Sequence, residues 1–451
     1  MLGVQKYKKW NHLKLSPPQT LAIGFVITIM FGTFLLMLPI STHPEHRLAF
    51  MDALFEATSA VCVTGLVVVD TGTTFTVFGQ VVLMVLITIG GLGFMTFGIL
   101  IALLLGKKIG LSERLLIQSA TNQFSLSGLV KLVKIILTAT FFIEGAGALL
   151  LAVAWSNEMG WPKALYYGLF HSISAFNNAG FGLEFDNLSK WVGNPAINLI
   201  IASLFILGGI GFTVIMDVTH KKFNFRKWSL HTKLALISTL IINIVATILI
   251  FGIESRNPDT LGQLSIGDQI LASFFHATTP RTAGFNTLDL TQLKNDSILL
   301  TMALMFIGGA TGGTAGGIKI TTFLLLLLVV WAFITRKDGI NVFKRRISNE
   351  LVFRALSISM IGVIIIFSAV FLLELTEKDI SLMNLAFEAV SAFGTVGLSL
   401  GATPELSSFG KLIIILLMFV GRLGPLTLAF ALTKKQSQAN FKYPEEKILI
   451  G

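Results

Sequence analysis

The chain has 451 residues, 53% of them hydrophobic and only 13% charged, about half the charged share of a soluble domain. That balance excludes an ordinary cytosolic enzyme and a disordered protein alike. The net charge of +10 raises nucleic-acid binding. The basic residues are not gathered on one water-facing surface, however, but separated by apolar runs of roughly 20 residues, the length that crosses a bilayer.

In chain order, Lys6, Lys8, Lys9 and Lys14 precede a first apolar run near 19–39. No small-residue cleavage site follows it, so a membrane span is expected here and not a cleaved leader. Further full-length runs fall near 77–105, 132–154, 193–216, 233–252, 297–334 (interrupted), 355–373 and 410–432. Shorter semi-apolar stretches lie near 50–61, 162–176, 267–279 and 381–393, a length suited to re-entrant segments. The sole cysteine, Cys62, excludes an internal disulfide and a cysteine-rich metal site.

Eight spans put both termini on one side of the membrane. The loops of that side hold 24 Lys and Arg against six Asp and Glu, and those of the other hold eight against 17. The positive-inside rule makes the first side cytoplasmic, so every short stretch enters from outside. Only Lys319, Arg422 and Glu144 fall at membrane depth.

The short stretches form an internal repeat. Phe55-Glu56-Ala57-Thr58-Ser59-Ala60, Phe170-His171-Ser172-Ile173-Ser174-Ala175, Phe275-His276-Ala277-Thr278-Thr279 and Phe387-Glu388-Ala389-Val390-Ser391-Ala392 each lead to a glycine, at 65, 180, 284 and 397. A second marker follows at 24–28 residues: Gly90-Gly91, Gly208-Gly209, Gly308-Gly309 and Gly421-Arg422. The glycine pairs at 90 and 208 are read as close helix packing. The four units are expected at 1–110, 111–220, 221–337 (with a broken second span) and 338–433, followed by a cytoplasmic tail, 434–451. The expected fold is an all-α polytopic membrane protein in which eight transmembrane helices form four span, pore loop, span repeats around a pseudo-fourfold pore.

Irregular backbone at membrane depth survives only where it is buried in protein or lines water. A half-helix entering from outside leaves its C-terminal carbonyls, with their partial negative charge, in the membrane interior. Glycine then lets the chain approach the axis. Four such loops can offer carbonyls in place of the hydration shell of a monovalent cation. The expected filter is Val63-Thr64-Gly65, Asn178-Ala179-Gly180, Thr282-Ala283-Gly284 and Thr395-Val396-Gly397, with no acidic residue among them.

These motifs, with Asn177 to Phe181, Arg281 to Phe285 and Met418-Phe419-Val420-Gly421-Arg422-Leu423-Gly424-Pro425, resemble the ion-translocating membrane subunit of the Ktr-type bacterial potassium transporters. That family lies in the superfamily that also holds the Trk and plant HKT transporters, and the resemblance covers nearly the whole chain. It implies four M1–P–M2 repeats with one filter glycine each, and potassium as the main substrate. Relatives that favour sodium carry serine at the first filter position, where this chain has Gly65. A single glycine per loop is a reduced filter, so some sodium permeation is expected.

The sixth span contains Gly308-Gly309-Ala310-Thr311-Gly312-Gly313-Thr314-Ala315-Gly316-Gly317. Six glycines, at about 1 kcal/mol each relative to alanine, make a helix there unfavourable, and a kink needs far fewer. A flexible loop below the filter is expected. Arg422 stands where the other repeats have Gly91, Gly209 and Gly309. An arginine at this depth costs roughly 2.5–3.5 kcal/mol, so it is expected to hydrogen-bond carbonyls of the 308–317 loop and latch it. The resemblance likewise makes this arginine and loop a gate. Lys319 is expected to snorkel toward the cytoplasm. Glu144 and Arg281 are expected to brace the filter, paired with each other or with a filter-loop backbone group. His171 and His276 are read as hydrogen-bonding residues, with no metal expected beyond potassium.

The resemblance implies a homodimer with one pore per protomer, the short tail from Phe441 to Gly451 serving at its interface. It also implies a cytoplasmic ring of regulatory subunits that binds ATP or ADP, with no nucleotide on this chain, in a bacterial plasma membrane. Positively charged loops suit anionic lipid headgroups, and no nucleic-acid partner is expected. An ion-coupled symporter with alternating access also breaks helices near the midplane, but Glu144 is the only acid inside a span. A membrane-embedded enzyme would need a catalytic pair at depth, and none is apparent.

Overall fold

A computed structural model describes residues 16–93, 129–337 and 339–432, together with 444 and 446. The N-terminal lysines, the far half of the 77–105 span, the 110/111 repeat boundary and nearly all of the tail lie outside the described residues. The helices are α1 (Pro17–Leu36), α2 (Phe50–Cys62), α3 (Val77–Leu92), α4 (Leu129–Met159), α5 (Trp161–Phe176), α6 (Pro195–Ile210), α7 (Phe212–His220) and α8 (Leu230–Glu254). After them come α9 (Ile266–Thr278), α10 (Asn295–Phe306), α11 (Ile320–Ile334), α12 (Asn349–Thr376), α13 (Leu382–Gly394), α14 (Ser408–Leu423) and α15 (Pro425–Leu432).

Local chemistry starts many of these helices. Gln19 Oε1 accepts from Ser16 N (2.9 Å) at the start of α1, which opens on Pro17 and Pro18, and proline is preorganised for a first helical turn. Ser265 caps α9, Ser381 caps α13 and Ser407 caps α14 through side-chain oxygens, each supplying an acceptor to an otherwise unpaired amide.

Among the described residues, four uninterrupted helices are long and apolar enough to cross a membrane: Pro18–Leu36, Val133–Met159, Leu230–Glu254 and Asn349–Thr376. They present apolar side chains outward, as at Ile27, Phe142 and Phe367, which are 62%, 76% and 74% exposed. The four short helices do the reverse. Phe55, Phe170, Phe275 and Phe387, which open the repeated motifs, are fully buried. The long helices therefore face an apolar surround and the short ones form the centre.

The apolar runs at 193–216 and 410–432 are each bent rather than one straight helix, and the described part of the run at 77–105 ends at Gly93. Helix α3 stops at Gly93 (φ 81°, ψ 135°). Helices α6 and α7 meet at 92° across Gly211 (φ 98°, ψ 135°). Helices α14 and α15 meet at 94° across Gly424 (φ 82°, ψ 136°). A positive φ with an extended ψ is open essentially to glycine alone, and no helix continues through it. The third repeat breaks over Ile307–Lys319, as its glycine run requires. A small hairpin, β1 (Asn341–Val342) with β2 (Arg345–Arg346), also departs from the all-α expectation. Its turn residues Phe343 and Lys344 have φ of 48° and 61°, the two positive φ values of a tight hairpin turn.

Candidate functional site: filter loops and gate

Each short helix ends in the same way. The first filter residue turns left-handed: Val63 (φ 56°), Asn178 (60°), Thr282 (74°) and Thr395 (50°). The next residue's amide folds back onto its own helix. Thr64 N donates to Ser59 O (2.8 Å), Ala179 N to Ser174 O (2.8 Å), Ala283 N to Thr279 O (2.9 Å) and Val396 N to Ser391 O (2.9 Å). The glycine follows, again at positive φ.

The four glycines are neighbours. A β-carbon on Gly65 would collide with the Ala179 carbonyl, and one on Gly180 would lie 2.8 Å from Gly284 Cα. One on Gly284 would meet the Val396 carbonyl, and one on Gly397 the Thr64 carbonyl. The contacts run 65, 180, 284, 397 and back to 65, a closed ring. One carbonyl oxygen from each loop, those of Thr64, Ala179, Ala283 and Val396, stands beside it. No side chain other than hydrogen fits at these four positions.

The segments leaving the loops enclose a cavity of about 520 Å³, lined by the four glycines together with Asp70, Glu184 and Asp289, and by no lysine or arginine among the described residues. Its field favours cations. Two further residues hold the loops that sequence reading did not single out. Ser59 Oγ accepts from Gly65 N (3.0 Å) and Ser391 Oγ from Gly397 N (3.2 Å). Their signal was a hydroxyl four residues after each motif phenylalanine, Ser59, Ser174, Thr279 and Ser391.

The residues at 308–317 form a loop seated against the second repeat. Gly308 N bonds Ile318 O (2.8 Å), Ala310 N bonds Gly209 O (2.8 Å), Thr314 N bonds Gly208 O (3.1 Å) and Phe212 N bonds Gly312 O (3.0 Å). Thr314 Oγ1 donates to Asn178 Oδ1 (2.9 Å), and Asn178 Nδ2 donates to Thr282 Oγ1 (3.3 Å). One asparagine thus joins two filter loops to the glycine-rich loop. Arg422 Nη1 donates to the Thr314 carbonyl, and its Nη2 donates to the Gly90 carbonyl and, at 3.4 Å, to Gly91 O. The bond to the loop is the one expected, and the clasp on the first repeat is additional.

Two expectations change. Lys319 does not snorkel. Its Nζ donates to Ala315 O (2.6 Å) and Gly316 O (3.2 Å), because those loop carbonyls are free to accept. Glu144 and Arg281 do not pair. Glu144 Oε1 accepts from Asn177 Nδ2 (2.7 Å) and its carbonyl from Ser172 Oγ (2.7 Å), so it meets the second filter loop through a side-chain amide. Arg281 is buried and its Nε has no partner among the described residues. The glycine pairs serve contact: a β-carbon on Gly90 would strike the Val61 carbonyl and one on Gly208 the Phe176 carbonyl. His171 Nδ1 donates to Tyr167 O (2.9 Å). His276 Nε2 bonds Thr301 Oγ1 (3.1 Å). Among the described residues no group of His, Cys, Asp and Glu could hold a metal ion.

Residues 2–443 match the TrkH family, described as cation transport protein. The chain is 50% identical over 450 residues to the Ktr system potassium uptake protein B of Bacillus subtilis, with 100% of each chain covered. It is 40% identical to the potassium/sodium uptake protein NtpJ of Enterococcus hirae, over 98% of this chain and 99% of that one. The crystal structure of the potassium transporter TrkH from Vibrio parahaemolyticus aligns with a TM-score of 0.72 at 20% identity, covering 94% of this chain and 86% of that one. That likeness speaks for the fold. Buried short helices and apolar outer helices, with these relatives, define a multi-pass membrane transport protein. The chain belongs to the TrkH family of cation transport proteins, and its Ktr-type resemblance holds at full length. Its named relatives are ion transporters, which sets the enzyme reading aside.

Proposed function

We propose that the chain carries potassium ions across a bacterial plasma membrane through the ring of Gly65, Gly180, Gly284 and Gly397. Eight transmembrane helices form four M1–P–M2 repeats about a pseudo-fourfold axis, with both termini cytoplasmic. The observation that carries the reading is the closed cycle of glycine contacts with one carbonyl per loop beside it. Neutral carbonyls without an acidic ring suit a monovalent cation, and the names of the full-length relatives specify potassium uptake. One glycine per loop leaves room for some sodium permeation.

The 308–317 loop and Arg422 are the gate. A guanidinium at this depth repels an approaching cation while its bonds to the Thr314 and Gly90 carbonyls hold the loop across the path. Two protomers form the transporter, each with its own pore, on a cytoplasmic ring of ATP- or ADP-binding subunits. That ring shifts the gate only through contacts that differ between the gate's two states.

The test is potassium flux into liposomes holding the purified protein, with a potassium gradient and no sodium or proton gradient. Sustained potassium flux is the expected result. Flux that appears only with a coupling ion would overturn the pore and favour a symporter with alternating access.

A further inference from the structure

The position after each motif phenylalanine is a buried polar residue: Glu56, His171, His276 and Glu388, all 2% exposed or less. The glutamates reach forward to the chain that has already passed through the filter. Glu56 Oε1 accepts from Val68 N (2.8 Å) and Val69 N (3.3 Å). Glu388 accepts from Ser399 Oγ through Oε1 and from Thr403 Oγ1 (2.8 Å) through Oε2. The histidines bond elsewhere, one to its own helix and the other to Thr301 of α10.

The second and third loops are held in another way, by each other. Leu188 N donates to Asn286 O (3.0 Å) and Asn286 N donates to Asn187 Oδ1 (3.4 Å). The first, third and fourth loops put β-branched Val63, Thr282 and Thr395 at positive φ. Such a conformation costs on the order of 1–3 kcal/mol and persists only where the surroundings over-determine it. The glutamates are part of those surroundings in the first and fourth.

We infer that Glu56 and Glu388 are specificity-determining positioning residues: they fix the outgoing legs of the first and fourth loops and so keep the ring from closing onto a smaller ion. The inference rests on the potassium-pore reading above. A sodium ion is satisfied only if the carbonyls move inward, and each leg tied to a pore helix resists that movement. The role belongs to the acceptor oxygens, so glutamine at 56 preserves much of it.

The experiment compares sodium and potassium flux in liposomes for the parent, Glu56→Ala, Glu56→Gln and a Ser399→Ala/Thr403→Val double variant. The last removes the two hydroxyl donors to Glu388, leaves the backbone amides of Leu400 and Ala402 bonded to it and keeps the pore helix intact, so it reads the hold on the outgoing leg if Glu56→Ala does not fold. The sodium-to-potassium ratio is expected to rise about two- to tenfold in Glu56→Ala and in the double variant, the weight of one lost hydrogen bond. Glu56→Gln should recover most of the parent ratio. Parent ratios in both disrupted variants would overturn the inference, as would a Glu56→Gln ratio equal to that of Glu56→Ala. A parent without potassium flux would overturn the pore reading itself.

Discussion

Arg422 carries the sharpest consequence at the scale of a single residue. Its guanidinium spans two partners, the Thr314 carbonyl of the glycine-rich loop and the Gly90 carbonyl of the first repeat. Hydrogen bonds from a charged donor are worth about 1.5–3 kcal/mol each. Arg422→Ala should therefore raise potassium uptake about tenfold or more in a potassium-import-deficient strain when the gate would otherwise be closed. Arg422→Lys should fall between, since one ammonium cannot reproduce a planar fork of donors. Unchanged uptake in the alanine variant would sink the latch. Charge at depth made this residue visible in the sequence, because an arginine there must find acceptors. Its second partner was not visible, because nothing local to Met418–Pro425 points at a carbonyl as distant in the chain as Gly90.

Elements depend on close backbone approach. Helix α6 touches the end of α5 where a β-carbon on Gly208 would strike the Phe176 carbonyl. A carbonyl of a helix end cannot swing aside as a flexible side chain does. Gly208→Ala should therefore cost about 1–3 kcal/mol, the usual range for overpacking. Gly145 in α4 is the contrast, where a β-carbon would meet nothing within 4 Å. Gly145→Ala should be neutral or stabilising by up to about 1 kcal/mol. Thermal unfolding of both variants in detergent separates them, and equal melting temperatures would refute the packing role. The same scale holds what the apolar runs did not show. Gly93, Gly211 and Gly424 each sit within or at the end of an apolar run, where a lone glycine reads as a tolerated helix residue. Only their backbone angles show that α6 and α14 turn by about a right angle at Gly211 and Gly424 and that α3 ends at the matching Gly93.

At the scale of the whole molecule the fourth unit must close on the first without a covalent link between them. Beside the approach of Gly397 to Gly65, side chains bond across that seam: Lys411 Nζ to Asp52 Oδ1 (2.8 Å), Arg422 to Gly90 and Gly91, and Gln19 Nε2 to Ala431 O (3.0 Å). The ion pair joins the first turn of α14 to the first turn of α2, the helix that carries the first filter loop. Its side chains are 15% and 26% exposed, so solvent screens it in part, and about 1 kcal/mol is its expected weight. Asp52→Lys and Lys411→Asp should each lower the melting temperature, and the double exchange should recover part of the loss. An additive double exchange would show that the pair does not couple the seam.

Hydropathy, charge asymmetry and the recurrence of a phenylalanine, a hydroxyl and a glycine determined the membrane class, the central half-helices and the four loops. Burial and bilayer length leave few other uses for such runs. The glycine run and the buried arginine marked the proposed gate for a similar reason, since each is costly unless the fold uses it. Tertiary structure alone decided the cyclic order of the loops, the right-angle bends at single glycines and the partners of Glu144, Lys319 and Arg422. These are contacts between atoms whose cost or benefit depends on what the fold brings within hydrogen-bonding reach. Sequence spacing carries no record of that distance.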